Sequence, residues 1–328
     1  MINTKTILPQ KSKDNKQKKK QYFQILIKII IFVLFSFIFF NILRKIDNLN
    51  KKITLNMKVA MCTIAKKENR YIKYFVDFYR KLNYDHIYFY DNNEIGDESI
   101  SDLKIIKDGI KEGFITITIY RKNITNIVTE SYYDCYEKYN KEYDWISFFD
   151  IDEYLILNEK NLTIQEFLDN PRFNNCDNVK FSWRVFTDND QLDYIDEPLI
   201  KRFPFETKFK FENRHVKSTI RGGLNYTSYK RNYSPHSIYN GLKACSSSGK
   251  STNCGPFFFP PDFKYASLNH YVTKSVREFF YKKYKTKINV DKIPIRKKNY
   301  LFDYFFKINK KTKEKVDIFN KIYHTNYQ

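Results

Sequence analysis

The stretch WISFFDIDEYL, residues 145–155, joins a run of strand-forming residues to three acids in four positions, Asp150, Asp152 and Glu153. Trp, Ile and Phe in succession favour a buried strand. Acids buried without a partner would cost several kcal/mol or become neutral. Three of them at the mouth of such a strand therefore indicate a site that holds something positive.

The overall composition is that of a folded protein with a strongly basic charge. The chain has 328 residues, of which 42% are hydrophobic, so a disordered chain is excluded. A formal net charge of +21 ordinarily suggests nucleic acid or an anionic surface as partner. Seven lysines and one aspartate fall within residues 1–20, and the sequence carries no nucleic-acid-binding motif. We expect no nucleic-acid partner.

Residues 22–43 form an apolar segment interrupted by one charge, Lys28. At about 1.5 Å per residue such a helix reaches roughly 30 Å, one hydrocarbon core. A signal peptide is the alternative, but the segment ends in NILRKIDNLN without a small-residue cleavage site. The basic residues before it predict a cytosolic N-terminus. We expect a single-pass type II membrane protein with its main domain in the Golgi or ER lumen, or otherwise extracytoplasmic.

The chain divides into five predicted parts. They are a basic cytosolic tail (1–21), the transmembrane anchor (22–43), a stem (44–57), an α/β domain (58–285) and a basic C-terminal extension (286–328).

The cysteines and glycosylation sequons bear on the compartment. Cys245 and Cys254 flank a Ser-rich loop and could close it as a disulfide in an oxidising lumen. The other three cysteines, which lie in apolar or mixed surroundings, are expected to be buried thiols. These are Cys62, Cys135 and Cys176. The sequons that begin at Asn123, Asn161, Asn225 and Asn232 support a lumenal location only mildly.

Hydrophobic periodicity predicts alternating strands and helices. The predicted strands cover residues 58–64, 86–90, 114–120 and 145–149, and the predicted helices 69–82, 98–108 (ending at Gly109) and 127–140. This order is typical of an α/β fold with a mostly parallel sheet and helices on both faces. Neither GxGxxG nor GxxxxGK[ST] follows the first strand, which argues against a dinucleotide fold and a P-loop enzyme. Further on, we expect a strand at 181–186 and a last helix at about 273–285.

The carboxyl ends of parallel strands meet at one edge, so Asp91 and Asp150 should converge on one crevice. An Asp-x-Asp there suits Mn²⁺ or Mg²⁺ bridging protein carboxylates and a substrate diphosphate. Haloacid-dehalogenase-like phosphatases also place D-x-D-x-[TV] after a strand. The bulky Tyr154 at the fifth position and the location on the fourth strand argue against that family.

Five segments together resemble glycosyltransferase family 92 and its family-2-like relatives. They are KENRYIKYFVDFYRKLNYDHIYFYDNN, ESYYDCYEKY, DWISFFDIDEYL, HVKSTIRG and SLNHYVTKSVREFFYKK, in order between about residues 58 and 285. The resemblance implies a GT-A (Rossmann-like) fold. It also implies inverting transfer of a sugar, often galactose, from a nucleotide-sugar donor such as a UDP-hexose to a glycan, with manganese.

The resemblance also implies roles for individual residues. Asp150 and Asp152 look like the metal and donor acids, with Asp152 the more direct ligand, and Glu153 would orient its neighbours. Asp91 resembles the acid that reads the nucleoside base. His270 looks like the later metal or diphosphate ligand, or else it is a hydrogen-bonded core histidine.

Further residues are open to two interpretations. Lys217, Arg221 and Lys274 could neutralise diphosphate charge or be plain surface charges. His236 either faces the acceptor or is structural. Residues 183–190, WRVFTDND, depart from the small, glycine-bearing segment of relatives. Either Asp188 or Asp190 there could be the general base, and Asp188 is the preferred candidate. Because of this departure, a degenerate member that binds glycan or an anionic partner without catalysis is the alternative function.

Overall fold

A computed structural model of the protein describes residues 11–54, 57–122, 124–252, 255–283 and 292–328. The chain forms two compact units, Met1–Asn56 and Met57–Gln328. In the first unit, helix α1 spans Lys11–Thr54. Its segment Phe23–Arg44 is, within the described part of the chain, the one helix long and apolar enough to cross a membrane. The predicted anchor therefore lies on a continuous helix.

The second unit is an α/β domain. Its helices are α2 (Asn69–Lys81), α3 (Lys104–Lys111), α4 (Ile127–Tyr139), α5 (Ile164–Leu168), α6 (Leu199–Arg202), α7 (Val276–Lys283), α8 (Ile295–Ile308) and α9 (Lys313–Tyr323). Its strands are β1 (Val59–Ala65), β2 (His86–Asp91), β3 (Ile115–Ile119), β4 (Trp145–Phe148), β5 (Glu153–Leu157), β6 (Asn178–Val185), β7 (Val216–Arg221), β8 (Lys230–Ser234), β9 (Ser237–Asn240), β10 (Ala244–Ser246), β11 (Ser251–Thr252) and β12 (Ala266–His270).

Ten strands form one mixed, mostly parallel sheet. Eight of them follow the order β11-β10-β6-β7-β4-β1-β2-β3, β12 joins β6, and β5 joins β12. Strands β1 to β4 are parallel to their neighbours among themselves, whereas β7 is antiparallel to both β4 and β6. The chain adds β2 and β3 on one side of β1 and then β4 on the other side. The order therefore reverses between β1 and β4, which is where ligands of open α/β sheets bind.

The sheet is buried on both faces, as predicted. Alternate residues of β1 point to opposite sides, so Val59 and Met61 pack with α2, whereas Ala60 and Cys62 pack with α4. The apolar stripe predicted for residues 69–82 is the buried face of α2. Helices cover both faces, which explains why these strands are continuously apolar.

Strand β5 was not predicted from the sequence. Its pairing determines where Asp152 and Glu153 lie. It is antiparallel to β12, with Glu153 opposite His270. The Tyr271 N–H donates to the Asp152 carbonyl oxygen at 3.0 Å and extends this pairing by one residue. The acidic turn after β4 is thereby fixed beside the end of β12.

The helix predicted for residues 98–108 is wrong in its bounds. A 3₁₀ segment, Ile100–Asp102, precedes α3, which continues past Gly109 to Lys111. Gly109 is not a stop signal because it is needed inside the helix. A Cβ added there would lie 2.4 Å from Ile115 Cδ1, so glycine lets α3 approach β3 closely.

The expectation for the cysteines is wrong. Cys62 bonds to Cys135 and Cys176 to Cys245, with Cα separations of 6.3 and 5.9 Å. The first disulfide ties β1 to α4, and the second ties β10 to the chain before β6. The predicted partner of Cys245, Cys254, lies outside the described residues. Pairing follows spatial proximity of neighbouring elements, which the spacing along the chain did not reveal.

A buried ion pair holds α7 against α6. Arg202 Nη2 lies 2.5 Å from Glu278 Oε2, and the two side chains are 0% and 1% exposed. Tyr71 Oη also donates to Glu278 Oε1, at 2.7 Å. On its other side α7 packs with α8 and α9, within the part of the chain predicted as a basic extension. Through Glu278, α7 is therefore linked to both α6 and α2.

We expect Glu278→Ala to destabilise the domain by about 3–5 kcal/mol, because Arg202 would be left buried without its counter-charge. Urea unfolding of the full chain in detergent, followed by tryptophan fluorescence, measures this change. Glu197→Ala is the control, since Glu197 and its partner Lys201 are 40% and 68% exposed. That variant should change stability by less than about 1 kcal/mol. Equal effects of the two substitutions would contradict the importance of the buried pair.

Candidate active site

A cleft opens at the carboxyl ends of β1, β2 and β4, where the strand order reverses. It has a volume of about 230 Å³. The residues that line it include Ile64, Lys66, Asn92, Val128, Asp150 and Lys282. We call it the first cleft. Three of these side chains follow three different strands, so the topology creates the cleft as the sequence predicted.

Asp152 lies beside this cleft as a fully buried carboxylate held by two lysines. Lys274 Nζ is 2.6 Å from Asp152 Oδ2, and Lys282 Nζ bonds the same oxygen. His270 Nε2 lies 3.6 Å from the other oxygen, Oδ1. The predicted residues Asp152, His270 and Lys274 are thus brought together from the turn before β5, the end of β12 and the chain before α7.

Asp150 is the acid of the group that faces the cleft. Its side chain is 37% exposed, and Lys217 Nζ lies 2.9 Å from Oδ1. Tyr132 Oη donates to the same oxygen at 2.8 Å. The Asp150 N–H donates to Glu153 Oε2 at 2.8 Å, and Lys217 is 3.7 Å from that oxygen. Glu153 thus lies behind Asp150 and contacts both its main chain and its partner Lys217.

The pKa values of the three acids shift in different directions because their surroundings differ. Burial would raise the pKa of Asp150, but Lys217 and Lys282 bring it down to about 2. Burial likewise opposes the charge of Asp152, yet its lysines and His270 together hold its pKa well below the usual range. Burial, reinforced by Asp150, raises the pKa of Glu153 well above the usual range. The surroundings therefore favour the ionised form of the two aspartates and the neutral form of Glu153.

Asp91 ends β2 close to the first cleft but turns inward. Its Oδ1 accepts from the N–H and Nδ2 of Asn93, at 2.9 and 2.8 Å. Its Oδ2 is buried and has no hydrogen-bond partner among the described residues. The neighbouring Asn92 lines the cleft instead. A role for Asp91 toward a nucleoside base stays a prediction.

Arg221 does not join the other predicted donor-binding residues. Lys217 and Arg221 lie four residues apart on β7, which corresponds to about 13 Å along a strand. Because β7 is antiparallel to β4, Arg221 lies opposite Trp145 at the far edge of the sheet. Its guanidinium donates to the carbonyl oxygens of Cys176 and Phe173, at 3.0 and 2.9 Å. It therefore organises the chain before β6 rather than the cleft.

Asp188, the expected general base, belongs to another ion pair. Its side chain is 2% exposed, and Lys315 Nζ of α9 lies 2.7 Å from its Oδ2. The same nitrogen is 2.7 Å from Asp190 Oδ1. A base must face the acceptor hydroxyl. The buried pair with Lys315 instead gives Asp188 a part in attaching the C-terminal helices.

His236 lies in a cluster of aromatic rings around Trp183. The Trp183 ring is 4.1 Å from the His270 ring, 4.8 Å from His215 and 5.0 Å from His236. His236 Nδ1 donates to the Val216 carbonyl oxygen at 2.9 Å, so Nε2 carries the lone pair. Burial and the nearby Lys217 lower the pKa of His236 to about 3. The ring is therefore neutral at physiological pH.

Lys282 is the site residue that the sequence reasoning missed. Although burial opposes its charge, Asp152 and Glu68 raise its pKa above the usual range. The available signal was charge balance, because two ionised acids in a core require cations nearby. The motif NHYVTKSVREFFYKK supplies them, and Lys282 and Lys283 fall in the last turn of α7.

The residues suit a divalent cation shared with a substrate. Asp152 Oδ1 is buried without a hydrogen-bond partner in the described part of the chain, and His270 Nε2 lies 3.6 Å from it. No group of three or more His, Cys, Asp and Glu is spaced as metal ligands among the described residues. Hard cations commonly take one or two protein ligands and complete their shell with water and substrate phosphates. The donor set fits that type of site.

The fold and site define an α/β domain with a charged ligand cleft at the reversal point of its sheet. The model of glycosyltransferase family 92 matches residues 56–321, most of the chain. The chain belongs to glycosyltransferase family 92, which confirms the expected resemblance, and it is accordingly a glycosyltransferase.

Two further comparisons were made. Twelve chains of solved structures match. One is "Crystal structure of S. aureus TarS 1-349", with 9% identity over 81% of this chain and 70% of that chain, at a TM-score of 0.33. No curated protein matches the sequence.

We expect the stability of the domain to fall on mild acidification partly because of His236. An unfolded histidine takes up a proton near pH 6.5, whereas folded His236 does so only near pH 3. The contribution of neutral His236 to the free energy of unfolding is thus complete above pH 6.5. It is lost as pH falls, at up to about 1.4 kcal/mol per pH unit.

Urea unfolding of the full chain in detergent at pH 7, 6 and 5 tests this expectation. His236→Gln should reduce the pH slope. The exposed His324 has a positive φ of 52°, which asparagine tolerates, so His324→Asn is a suitable control and should leave the slope unchanged. Parallel profiles for wild type and His236→Gln would contradict the assignment.

Proposed function

We propose that this glycosyltransferase takes its sugar from a nucleotide-sugar donor, with a UDP-hexose such as UDP-galactose as the expected donor. The acceptor is a glycan or glycoconjugate, and transfer proceeds with inversion. The observation that carries this proposal is the buried cluster of Asp152, Lys274 and Lys282 beside the first cleft. It places fixed positive charge where a donor diphosphate would lie.

The first cleft suits the nucleotide part of the donor. It lies beyond the carboxyl ends of the parallel strands at the reversal point, the usual place for nucleotides in open α/β sheets. Lys66 and Lys282 line it and can pair with phosphate oxygens, while Asn92 offers amide hydrogen bonds. Asp150 is the exposed acid at its inner end.

The protein's own residues keep this arrangement ready before the donor binds. Lys217 and Tyr132 fix Asp150, and Lys274 keeps Asp152 ionised. Such preorganised charges act on a reaction without the cost of reorientation. Asp152 and His270, with Asp150 beside them, are the residues that would hold Mn²⁺ or Mg²⁺. When bound, the ion would neutralise charge on the departing diphosphate.

We further propose a type II membrane location, with the second unit in the Golgi or ER lumen. The disulfides Cys62–Cys135 and Cys176–Cys245 support an oxidising compartment. The sequon residues Asn161 and Asn225 are exposed, as acceptors of N-glycans must be. The basic tail before Phe23–Arg44 supports a cytosolic N-terminus.

Nucleotide release from a panel of UDP- and GDP-sugars tests the donor proposal, with the full chain in detergent and with Mn²⁺ or EDTA. We expect turnover with one UDP-hexose, loss of turnover in EDTA, and a decrease of about 10²-fold or more in Asp150→Asn. Asp193→Asn is the matched control, because Asp193 is 62% exposed and pairs with Arg277 on the surface. Binding of Mn²⁺ measured by EPR should weaken in His270→Gln. No turnover with any sugar would refute the proposal, and full turnover in EDTA would refute its metal part.

Protease protection in sealed membrane vesicles tests the orientation. A protease added to the cytosolic side should remove an N-terminal tag and spare the second unit until detergent opens the vesicles. Protection of the N-terminal tag together with digestion of the second unit would show the opposite orientation.

A further inference from the structure

A second cleft lies on the other side of the Asp152 cluster. It has a volume of about 410 Å³, and it is lined by Trp183, Glu212, His215 and residues of α8, among them Tyr300 and Tyr304. The last turn of α7 separates the two clefts, since Lys282 lines the first cleft and Lys283 the second. The two clefts are therefore neighbours at the end of α7.

Aromatic side chains dominate the walls of the second cleft. Tyr300 is 64% exposed, and its ring stacks with Tyr304 at 6.1 Å and an interplanar angle of 20°. Phe211 is 53% exposed at the rim, with Arg214 3.6 Å above its ring. Aromatic faces that are exposed together along one groove are typical of a ligand-binding surface. Sugar rings present C–H faces to such surfaces and hydroxyls to the polar groups between them.

The second cleft contains a buried hydrogen-bond donor, the indole N–H of Trp183. Trp183 is 8% exposed, and its Nε1 has no hydrogen-bond partner among the described residues. Buried donors of this kind usually find a partner, and a ligand can supply it. Glu212 is the single carboxylate among the described residues that line the cleft. Its Oε2 lies 3.4 Å from His215 Nδ1, which donates to the main-chain carbonyl oxygen of Glu212 at 3.0 Å.

The second cleft is connected to the Asp152 cluster through two shared neighbours. The Trp183 ring packs against His270, which faces Asp152. The Tyr304 hydroxyl is within electrostatic reach of both Glu212 and Asp152, and burial together with Glu212 raises its pKa. A ligand in the second cleft can thus approach a donor sugar held beside Asp152.

We propose that the second cleft is the acceptor site, that it binds a neutral oligosaccharide on its aromatic walls, and that Glu212 is the general base. This inference rests on the proposed function. The acceptor hydroxyl oxygen bonds to the anomeric carbon of the donor sugar while the bond from that carbon to the diphosphate oxygen breaks. The electron pair leaves with the nucleoside diphosphate, and the hydroxyl proton passes to Glu212. Glu212 thereby takes the role first expected for Asp188.

Glycan binding by the full chain in detergent tests the acceptor site without any nucleotide. The probe is an array of neutral oligosaccharides of N-glycan, O-glycan and glycolipid type. We expect binding to a subset, and about tenfold weaker binding in Tyr300→Ala and in Phe211→Ala. Tyr233→Ala is the control, because Tyr233 is similarly exposed at 69% and lies on β8. No binding by the wild type, or equal binding by the cleft variants, would overturn the acceptor site.

Glu212→Gln separates the base from the binding surface. We expect it to bind the same glycans within about twofold and to bind UDP as the wild type does, while transfer to those glycans falls by about 10²–10⁴-fold. Normal transfer in this variant would overturn the assignment of the base. Failure to bind UDP in the wild type would count against the proposed donor alone, because the glycan array is read without nucleotide.

Discussion

One ionised carboxylate in the interior, that of Asp152, is the constraint around which the site is built. A buried charge is tolerated only when counter-charges and hydrogen bonds surround it, and removal of one partner typically costs about 3–5 kcal/mol. Its partners Lys274 and Lys282 come from more than 120 positions later in the chain. The segment that follows β4 and the segment that contains Lys274 and Lys282 must therefore fold together.

The parallel part of the sheet, β1 to β4, could be predicted because local sequence patterns determine its strands and helices. Continuous apolar runs gave β1 to β4, and the helical stripe gave α2. The placing of Asp91 and Asp150 at one edge then followed from the geometry of parallel strands. The parts of the site that depend on these strands, namely the first cleft and the exposed carboxylate of Asp150, were accordingly predictable.

The remainder of the sheet, which includes β5, β7 and β12, depends on which strands pair. Local sequence patterns do not determine that pairing. The segment HVKSTIRG gives no sign that β7 is antiparallel to β4, yet this direction alone puts Lys217 in the site and Arg221 at the opposite edge. Strand β5 has five residues, of which two are acidic or aromatic, so only its pairing with β12 identifies it. The partners of Asp188 and of Cys245 likewise come from distant segments.

The lysines around Asp152 serve the same electrostatic purpose as a metal ion in the proposed reaction, and need not compete with one. Lys274 and Lys282 occupy Oδ2, whereas Oδ1 faces His270. Asp150 is paired with Lys217, and Asp152 with Lys274 and Lys282, so both carboxylates have counter-charges within the protein. Negative charge on a diphosphate grows as its bond to the sugar breaks. In the proposed reaction, Lys66 and Lys282, which line the first cleft, pair with this growing charge and so stabilise the transition state more than the bound donor, which is the requirement for catalysis.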